Sequence, residues 1–202
     1  MSSLEDLNVS RETLERLEQF SSLVARWTVK INLISKSTLD DIWRRHILDS
    51  AQLFDLVPSF DHWADLGSGG GLPGIVLAIL AKEQNPAGQI TLVESDQRKG
   101  IFLKTAIREL DLNAIVLTER IEKVPPLNAD ALSARALSDL STLLTFAERH
   151  LVNHGTAVFP KGQNWRKEDE EARKTWSYSL DPVKSKTSAA AAVLLIKDIK
   201  RV

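Results

Sequence analysis

Apolar residues Leu14, Leu17, Val24 and Ile31 recur at helical intervals, and Ser10 with Glu12 behind it makes a helix start, so the pattern predicts a helix over 10–30. A second stretch, 38–56, carries Ile42, Ile47, Leu53 and Phe54 and is closed by Pro58, which predicts a second amphipathic helix. From His62 onward the texture changes. Short runs of Val, Leu and Ile alternate with helix-period segments, the grammar of successive β-α-β units. Strands are expected over 62–66, 89–94, 114–118, 129–133, 156–159 and 193–199, with helices over 73–84, 97–110 and 139–151. Pro73 suits a first helical turn, where its missing N–H costs nothing. The polar stretch 168–187, with Asp181-Pro182 and several lysines, predicts a helix followed by a loop and an edge strand. The fold expected is α/β and Rossmann-like: a mostly parallel central sheet with helices on both faces, and a helical extension (1–60) packed on a core (61–202).

Composition narrows the chemistry. At 202 residues the chain suits one globular domain, and no linker divides it. The absence of cysteine removes disulfides, thiolate zinc sites, iron–sulfur clusters and cysteine nucleophiles; no metal is expected. The acidic start MSSLEDLNVSRETLERLEQF lacks the basic flank and apolar centre of a signal peptide. The longest apolar runs, 75–81 and 189–196, fall short of the roughly 20 residues needed to cross a bilayer, so a soluble, cytoplasmic protein is expected. A monomer is a separate expectation, which no run of residues fixes. With 26 basic and 27 acidic side chains there is no global pull on a polyanion, and nucleic-acid binding would need local patches. Three stand out: Arg44-Arg45-His46, Arg98-Lys99 with Lys104 and Arg108, and Lys161 with Arg166-Lys167.

The clearest chemical feature is HWADLGSGGGLPG, 62–74: a strand, an acid, a glycine cluster and a proline-started helix. Glycines there permit positive φ and let a ligand lie against backbone N–H groups at a helix N-terminus. No lysine follows at the spacing of a phosphate-binding P-loop. A dinucleotide fingerprint starting at Gly67 and Gly69 would need glycine where Leu72 stands, although a frame shifted to Gly69-Gly70-Gly71 and Gly74 keeps a nicotinamide dinucleotide open. Asp65, just before the turn, suits a ligand with a charged amino group better than a pyrophosphate. That favours S-adenosylmethionine and a class I methyltransferase fold. Glu94 ends the second strand, where such a sheet places the acid that binds ribose hydroxyls. Ile121 and Glu122, after the third strand, can pack on adenine and accept from its amino group, or form an ordinary exposed turn.

The end of the fourth strand, Ser133-Ala134-Arg135, should face the reacting methyl group, since ligands bind at the carboxyl edge of a parallel sheet. Enzymes that methylate exocyclic base amines resemble one another in an Asn/Asp-Pro-Pro-aromatic signature there; this chain has only Val124-Pro125-Pro126-Leu127, ahead of the strand. Carbon methylation of pyrimidines would need the missing cysteine. A nucleophile that already owns a lone pair, such as guanine N7, remains, and it requires alignment and charge management rather than a base. Arg135 is placed to bind the cofactor carboxylate or a substrate phosphate; the alternative is a surface ion pair with Asp130 or Asp139.

KINLIS (30–35), RRHILDS (44–50), DLGSGGGLPGI (65–75), LVESDQRKGIFL (92–103), SARALSDL (133–140) and FPKG (159–162) occur in that order. Together they resemble the bacterial small-subunit ribosomal RNA guanine-N7 methyltransferase family, also called glucose-inhibited division protein B. The resemblance implies methyl transfer from S-adenosylmethionine to N7 of one guanine in a decoding-region loop of 16S rRNA, presented as rRNA or as the small ribosomal subunit. It implies cofactor contacts at Gly67, Leu72, Ile121, Glu122 and Arg135, to which the glycine turn adds Asp65, Gly69 and Gly71, and the fold adds Glu94. Arg135 is the catalytic candidate. Arg45, His46, Arg98 and Lys161 are candidates for RNA or active-site contacts, with His46 alternatively paired to Asp49 or Ser50. Gly70 stands where relatives often have proline or alanine. The rival readings are a small-molecule methyltransferase, an NAD-dependent oxidoreductase on the shifted glycine frame, and a non-catalytic RNA-binding module.

Overall fold

The computed structural model describes residues 7–202; the first six residues of the acidic N-terminal stretch lie outside the described residues. Helix α1 (Arg11–Ile31) starts where the pattern places it: Ser10 Oγ accepts from Thr13 N, and the helix stops at Asn32, which takes the left-handed conformation with φ 51°. Ser10 also donates from its backbone N–H to Glu83, so the helix start is tied to the end of α3 (Gly74–Gln84).

The second expected helix, 38–56, is not one helix. It breaks into a 3-10 turn (Lys36–Asp41), a π-helical turn (Trp43–Leu48), α2 (Asp49–Ala51) and a further 3-10 turn (Phe54–Leu56). The reason is burial on more than one side. Ile47, Leu48, Ser50, Ala51, Gln52, Leu53 and Phe54 are all buried, so no single stripe at a 3.6 period serves the segment. Turns of the π type are frequent at functional sites, and this one carries Arg45 and His46.

The sheet is made of β1 (His62–Leu66), β2 (Gln89–Val93), β3 (Ala114–Leu117), β4 (Ala129–Ala134), β5 (Leu151–Lys161), β6 (Trp176–Lys184) and β7 (Ala192–Arg201), in the order β3-β2-β1-β4-β5-β7-β6. The first five are parallel; β7 runs antiparallel to both β5 and β6. Helix α4 (Gln97–Glu109) links β2 to β3, and α5 (Leu140–His150) links β4 to β5. The chain leaves β1 toward β2 and returns to β4 on the opposite side. Such a reversal opens a crevice outside the carboxyl ends of β1 and β4.

Two differences from the sequence reading concern the C-terminal third. β5 begins at Leu151 rather than 156, and α6 (Trp165–Ala172) begins at Trp165, whose ring lies under the Arg166 guanidinium at 4.4 Å. The edge strand β6 carries a two-residue alternation, with Trp176 and Tyr178 buried and Ser177 and Ser179 exposed.

Strand alternation sends side chains to two separate cores. Trp63, Ile90, Leu92, Ala131 and Val158 face a core built with α1, α3, α4 and the helical segment, while Ala64, Leu66, Val93, Leu132 and Phe159 face one built around α5. Helix α3 is apolar all round because Gly74 through Ala81 are all buried between the sheet and the N-terminal segment. Leu17, Phe20 and Val24 of α1 share that core with Ile75 and Phe102, so the extension supplies part of the cover of α3. Fully burying one such side chain contributes about 1.5–3 kcal/mol. Among the described residues no helix is long and apolar enough to cross a membrane.

Candidate active site

The glycine turn leaves β1 at Leu66 and reaches α3 through three residues with positive φ: Gly67 (66°), Gly69 (53°) and Gly71 (76°). Gly67 shows why glycine is needed, since a Cβ there would stand in a left-handed conformation 2.7 Å from Leu137 Cδ1. The turn is tied to β2 by Ser68 N donating to the Val93 carbonyl at 3.0 Å. Glu94, just past β2, accepts from Gly69 N at 2.8 Å through Oε2 and from Asp96 N at 2.7 Å through Oε1. A carboxylate has about four acceptor positions, so two remain for a ligand.

Beside this turn lies a cleft of about 460 Å³ lined by Gly67, Gly69, Glu94, Ile121, Glu122 and Arg135, and also by Lys99 and Leu137. Six of the nine cofactor residues read from the sequence therefore meet at one cleft. Ile121 is the buried apolar element of a 3-10 turn (Ile121–Lys123), and Glu122 is exposed next to it.

The other three lie behind the turn. Asp65 was expected against a ligand's amino group, but it is fully buried: its Oδ1 accepts from Ser133 Oγ at 2.7 Å and its Oδ2 from Gly74 N at 3.2 Å. Alternation explains this, because Asp65 shares the α3-facing side of the sheet with Trp63 and pairs in register with Ser133. Trp63 Nε1 donates to the same Ser133 Oγ at 3.0 Å, completing a buried chain. Burial pushes the Asp65 carboxyl up to about 6, opposed by the hydrogen bond from Ser133. Gly71 packs against Ile75 and Leu103, and Leu72 is 5% exposed, offering its carbonyl to Arg135 Nε at 3.3 Å.

Arg135 joins this cleft to a second one of about 740 Å³, lined by Arg44, Arg45 and His46 of the helical segment, Lys161 of β5 and the β6–β7 connection around Thr187. Its guanidinium lies 3.4 Å from Asp49 Oδ2, 3.4 Å from the Arg45 carbonyl and 3.2 Å from His46 Nδ1. Burial lowers the Arg135 pKa from its ordinary value, and the carboxylate of Asp49 opposes that. Neither expected surface partner is used: Asp130 accepts from the backbone of Asp61 and His62, and Asp139 caps α5 at Thr142 N. The next residue, Ala136, has φ 52° and lines both clefts. A left-handed alanine costs energy that a functional bend can justify.

The four RNA candidates separate. Arg45 is exposed on the wall of the second cleft. His46 lines it too, but both ring nitrogens are engaged, one by Arg135 and the other by Thr38, and neither by Asp49 or Ser50. Arg98 is exposed at the start of α4 and paired with Asp96 at 3.2 Å, outside both clefts. Lys161 is a strut rather than an open cation: its Nζ lies 2.6 Å from Glu168 and donates to the Ser138 carbonyl, and Glu168 also accepts from Leu140 N at the start of α5.

Sequence reasoning passed over Thr38, Asp49 and Thr187 as functional residues. Asp49 lies within RRHILDS and accepts from Gln52, Arg135 and Thr187, the last at 2.6 Å. Thr187 lies 138 residues away, and no local pattern links the two.

Residues 13–194 match the family described as GidB, rRNA small subunit methyltransferase G. The chain is 55% identical over 197 residues to the ribosomal RNA small subunit methyltransferase G of Ruegeria sp. strain TM1040, covering 98% of this chain and 96% of that protein. It is 55% identical over 196 residues to the protein of the same name from Ruegeria pomeroyi, covering 97% and 96%. In fold it is similar to the crystal structure of an O-methyltransferase from Bacillus cereus in complex with SAH, with a TM-score of 0.63 at 12% identity over 96% of this chain and 94% of that one. The two-sided parallel sheet with its glycine turn is thus the Rossmann-like fold of class I methyltransferases, and the chain belongs to the GidB family of rRNA small subunit methyltransferases G.

Proposed function

We propose that the chain transfers a methyl group from S-adenosylmethionine to N7 of a guanine in the decoding-region loop of 16S rRNA. The observation that carries this reading is a shared wall: Arg135 and Ala136 line both the glycine-turn cleft and the larger cleft walled by Arg44 and Arg45. A donor in the first and a nucleotide in the second would meet across two residues.

The residues of the first cleft fit the donor. Gly69 lines the cleft in a left-handed conformation, φ 53°, that a side chain would strain, and its backbone is left bare toward a ligand. Glu94 retains two acceptor positions for ribose hydroxyls, Ile121 offers an apolar wall for adenine, and Glu122 stands beside it to accept from the adenine amino group. Arg135 is the cation for the methionine carboxylate. S-adenosylmethionine supplies a methyl group bound to a sulfonium sulfur, ready for direct displacement.

Guanine N7 carries its lone pair at neutral pH, so the chain must align the base rather than deprotonate it. Among the described residues, three of the four proton-accepting side chains that line the second cleft are already engaged, and the fourth, Asp41, is an exposed carboxylate. Asp49 is held by Arg135 and Thr187, Glu168 by Lys161 and Leu140 N, and the His46 ring is engaged at both nitrogens. Arg44 and Arg45 are exposed on its wall, where cations meet the RNA backbone. One chain lines both clefts, so a monomer suffices, and a ribosomal substrate places the reaction in the cytoplasm. Family membership leaves no support for a nicotinamide oxidoreductase on the same turn.

Small ribosomal subunits, or their naked 16S rRNA, from a strain lacking the gene should take up labelled methyl from S-adenosylmethionine. Borohydride and aniline should then cleave the rRNA at one new position. Label without cleavage would refute N7 as the acceptor, and no label in rRNA of either form would refute the substrate.

A further inference from the structure

His46 has its tautomer dictated by its neighbours. A guanidinium carries donors and no acceptor, so the 3.2 Å contact from Arg135 to His46 Nδ1 makes that nitrogen an acceptor. On the other side, His46 Nε2 lies 2.8 Å from Thr38 Oγ1. The Thr38 hydroxyl hydrogen is already directed at the Ser35 carbonyl, 2.7 Å away, so Oγ1 accepts and Nε2 carries the proton. Only the neutral Nε2–H imidazole satisfies both contacts. A protonated ring would set an N–H against the guanidinium.

The surroundings point the same way. The ring faces Arg135 from the end of β4, and Arg45, Asp49 and Asp41 from the helical segment. Burial, Arg135 and Arg45 together push its pKa down to about 4, against the two carboxylates. The ring is thus neutral wherever the ribosome works, and it is unsuited to contact an RNA phosphate because neither nitrogen is available. The broken helical segment has a clear use here: the 3-10 turn brings Thr38 to one side of the His46 ring, and the π-helical turn brings the other side of that ring to Arg135.

We propose that His46 is a positioning residue: pinned by Thr38 as the Nε2–H tautomer, it holds the Arg135 guanidinium at the boundary of the two clefts in the orientation that receives the donor's methionine carboxylate. This rests on the assignment of Arg135 above, and two independent readouts keep the claims separate.

The first readout is the ring itself. Long-range proton–nitrogen correlation spectra of the full chain should show His46 Nδ1 unprotonated and Nε2 protonated, unchanged between pH 8 and pH 5.5. Thr38→Val removes the acceptor at Nε2 and leaves Arg135 at Nδ1, so it should keep the Nε2–H tautomer while the ring signals broaden as the ring loses one of its two anchors. An Nδ1–H ring, or a ring protonated at pH 7, would overturn the proposal whatever Arg135 does.

The second readout is calorimetry with S-adenosylhomocysteine. His46→Ala should weaken binding about 3- to 10-fold, the size of one lost hydrogen bond. His46→Asn, whose carbonyl oxygen stands near the position of Nδ1, should restore affinity to within about twofold, whereas His46→Gln, which reaches toward Thr38 instead, should behave like alanine. In an Arg135→Ala background, His46→Ala should cause no further loss. Equal losses for the Asn and Gln variants, or additive losses in the double variant, overturn the positioning role. Wild-type affinity in Arg135→Ala alone overturns the assignment of Arg135 and leaves the ring spectra to judge the contact. Thermal unfolding of each variant shows that the binding data come from folded protein.

Discussion

Gly74 donates its backbone N–H to Asp65 Oδ2 at 3.2 Å, and a Cβ on Gly74 would stand 2.6 Å from that same oxygen. The first residue of α3 is therefore pressed against a buried carboxylate, which fixes how close the helix start comes to β1. Gly74→Ala should force Asp65 or α3 to move, at the roughly 1–3 kcal/mol typical of overpacking. Urea unfolding measures the loss, and unchanged stability would show that the contact relaxes freely. Because α3 starts from the glycine turn, S-adenosylhomocysteine affinity should fall with it.

Two titratable groups near Arg135, the half-buried His46 and the buried Asp65, oppose each other in acid. His46 binds its proton at about 4 in the folded chain against an ordinary 6.5, so as pH falls from 6.5 to 4 the unfolded chain gains a proton that the folded chain refuses, and stability is lost. Asp65 is raised to about 6 from 3.8, so between those values the folded chain holds the extra proton, and stability is lost as pH rises instead. The two slopes largely cancel between pH 4 and 6. Asp65→Asn should expose the histidine slope, steepening the loss toward acid by up to about 1.4 kcal/mol per pH unit, and His46→Asn should tilt the curve the other way. Parallel curves for wild type and both variants would contradict the opposition.

Glu94 has two tasks, since it faces the cofactor cleft and also accepts from Gly69 N and Asp96 N. Glu94→Ala should weaken S-adenosylhomocysteine binding by at least about tenfold and cost about 1–3 kcal/mol of stability, because two backbone donors lose their acceptor. Calorimetry and chemical denaturation read the two effects separately. A binding loss with no stability loss would mean that water replaces the carboxylate at the turn.

The basic residues should divide by what they already hold. Arg45→Ala should weaken rRNA binding and lower the slope of log affinity against log salt by about 1, as loss of one phosphate contact does. Lys161→Met should leave that slope unchanged and lower stability by about 1–2 kcal/mol, since the half-buried Glu168 loses its cation and keeps only the N–H of Leu140. Interchanged results would make Lys161 the RNA contact.

What the sequence determined by itself was everything governed by local pattern. The β-α-β alternation, the helix cap at Ser10, the glycine turn and the strand-end acid are set by periodicity and spacing within a few residues, and the structure places each at the position read. The two-residue alternation of Trp176 and Tyr178 was equally present in the chain, masked by the serines, lysines and proline around it. Tertiary structure decided the rest, because it depends on which face meets which neighbour. Asp65 points under α3 because of its register opposite Ser133, the second helix breaks because several surfaces bury it, and Lys161 meets Glu168 across a loop. Thr38, His46, Asp49, Arg135 and Thr187 span most of the chain and converge only once the sheet has reversed direction at β4. A hydrogen-bond network of that reach has no period, so only the folded chain can assemble it.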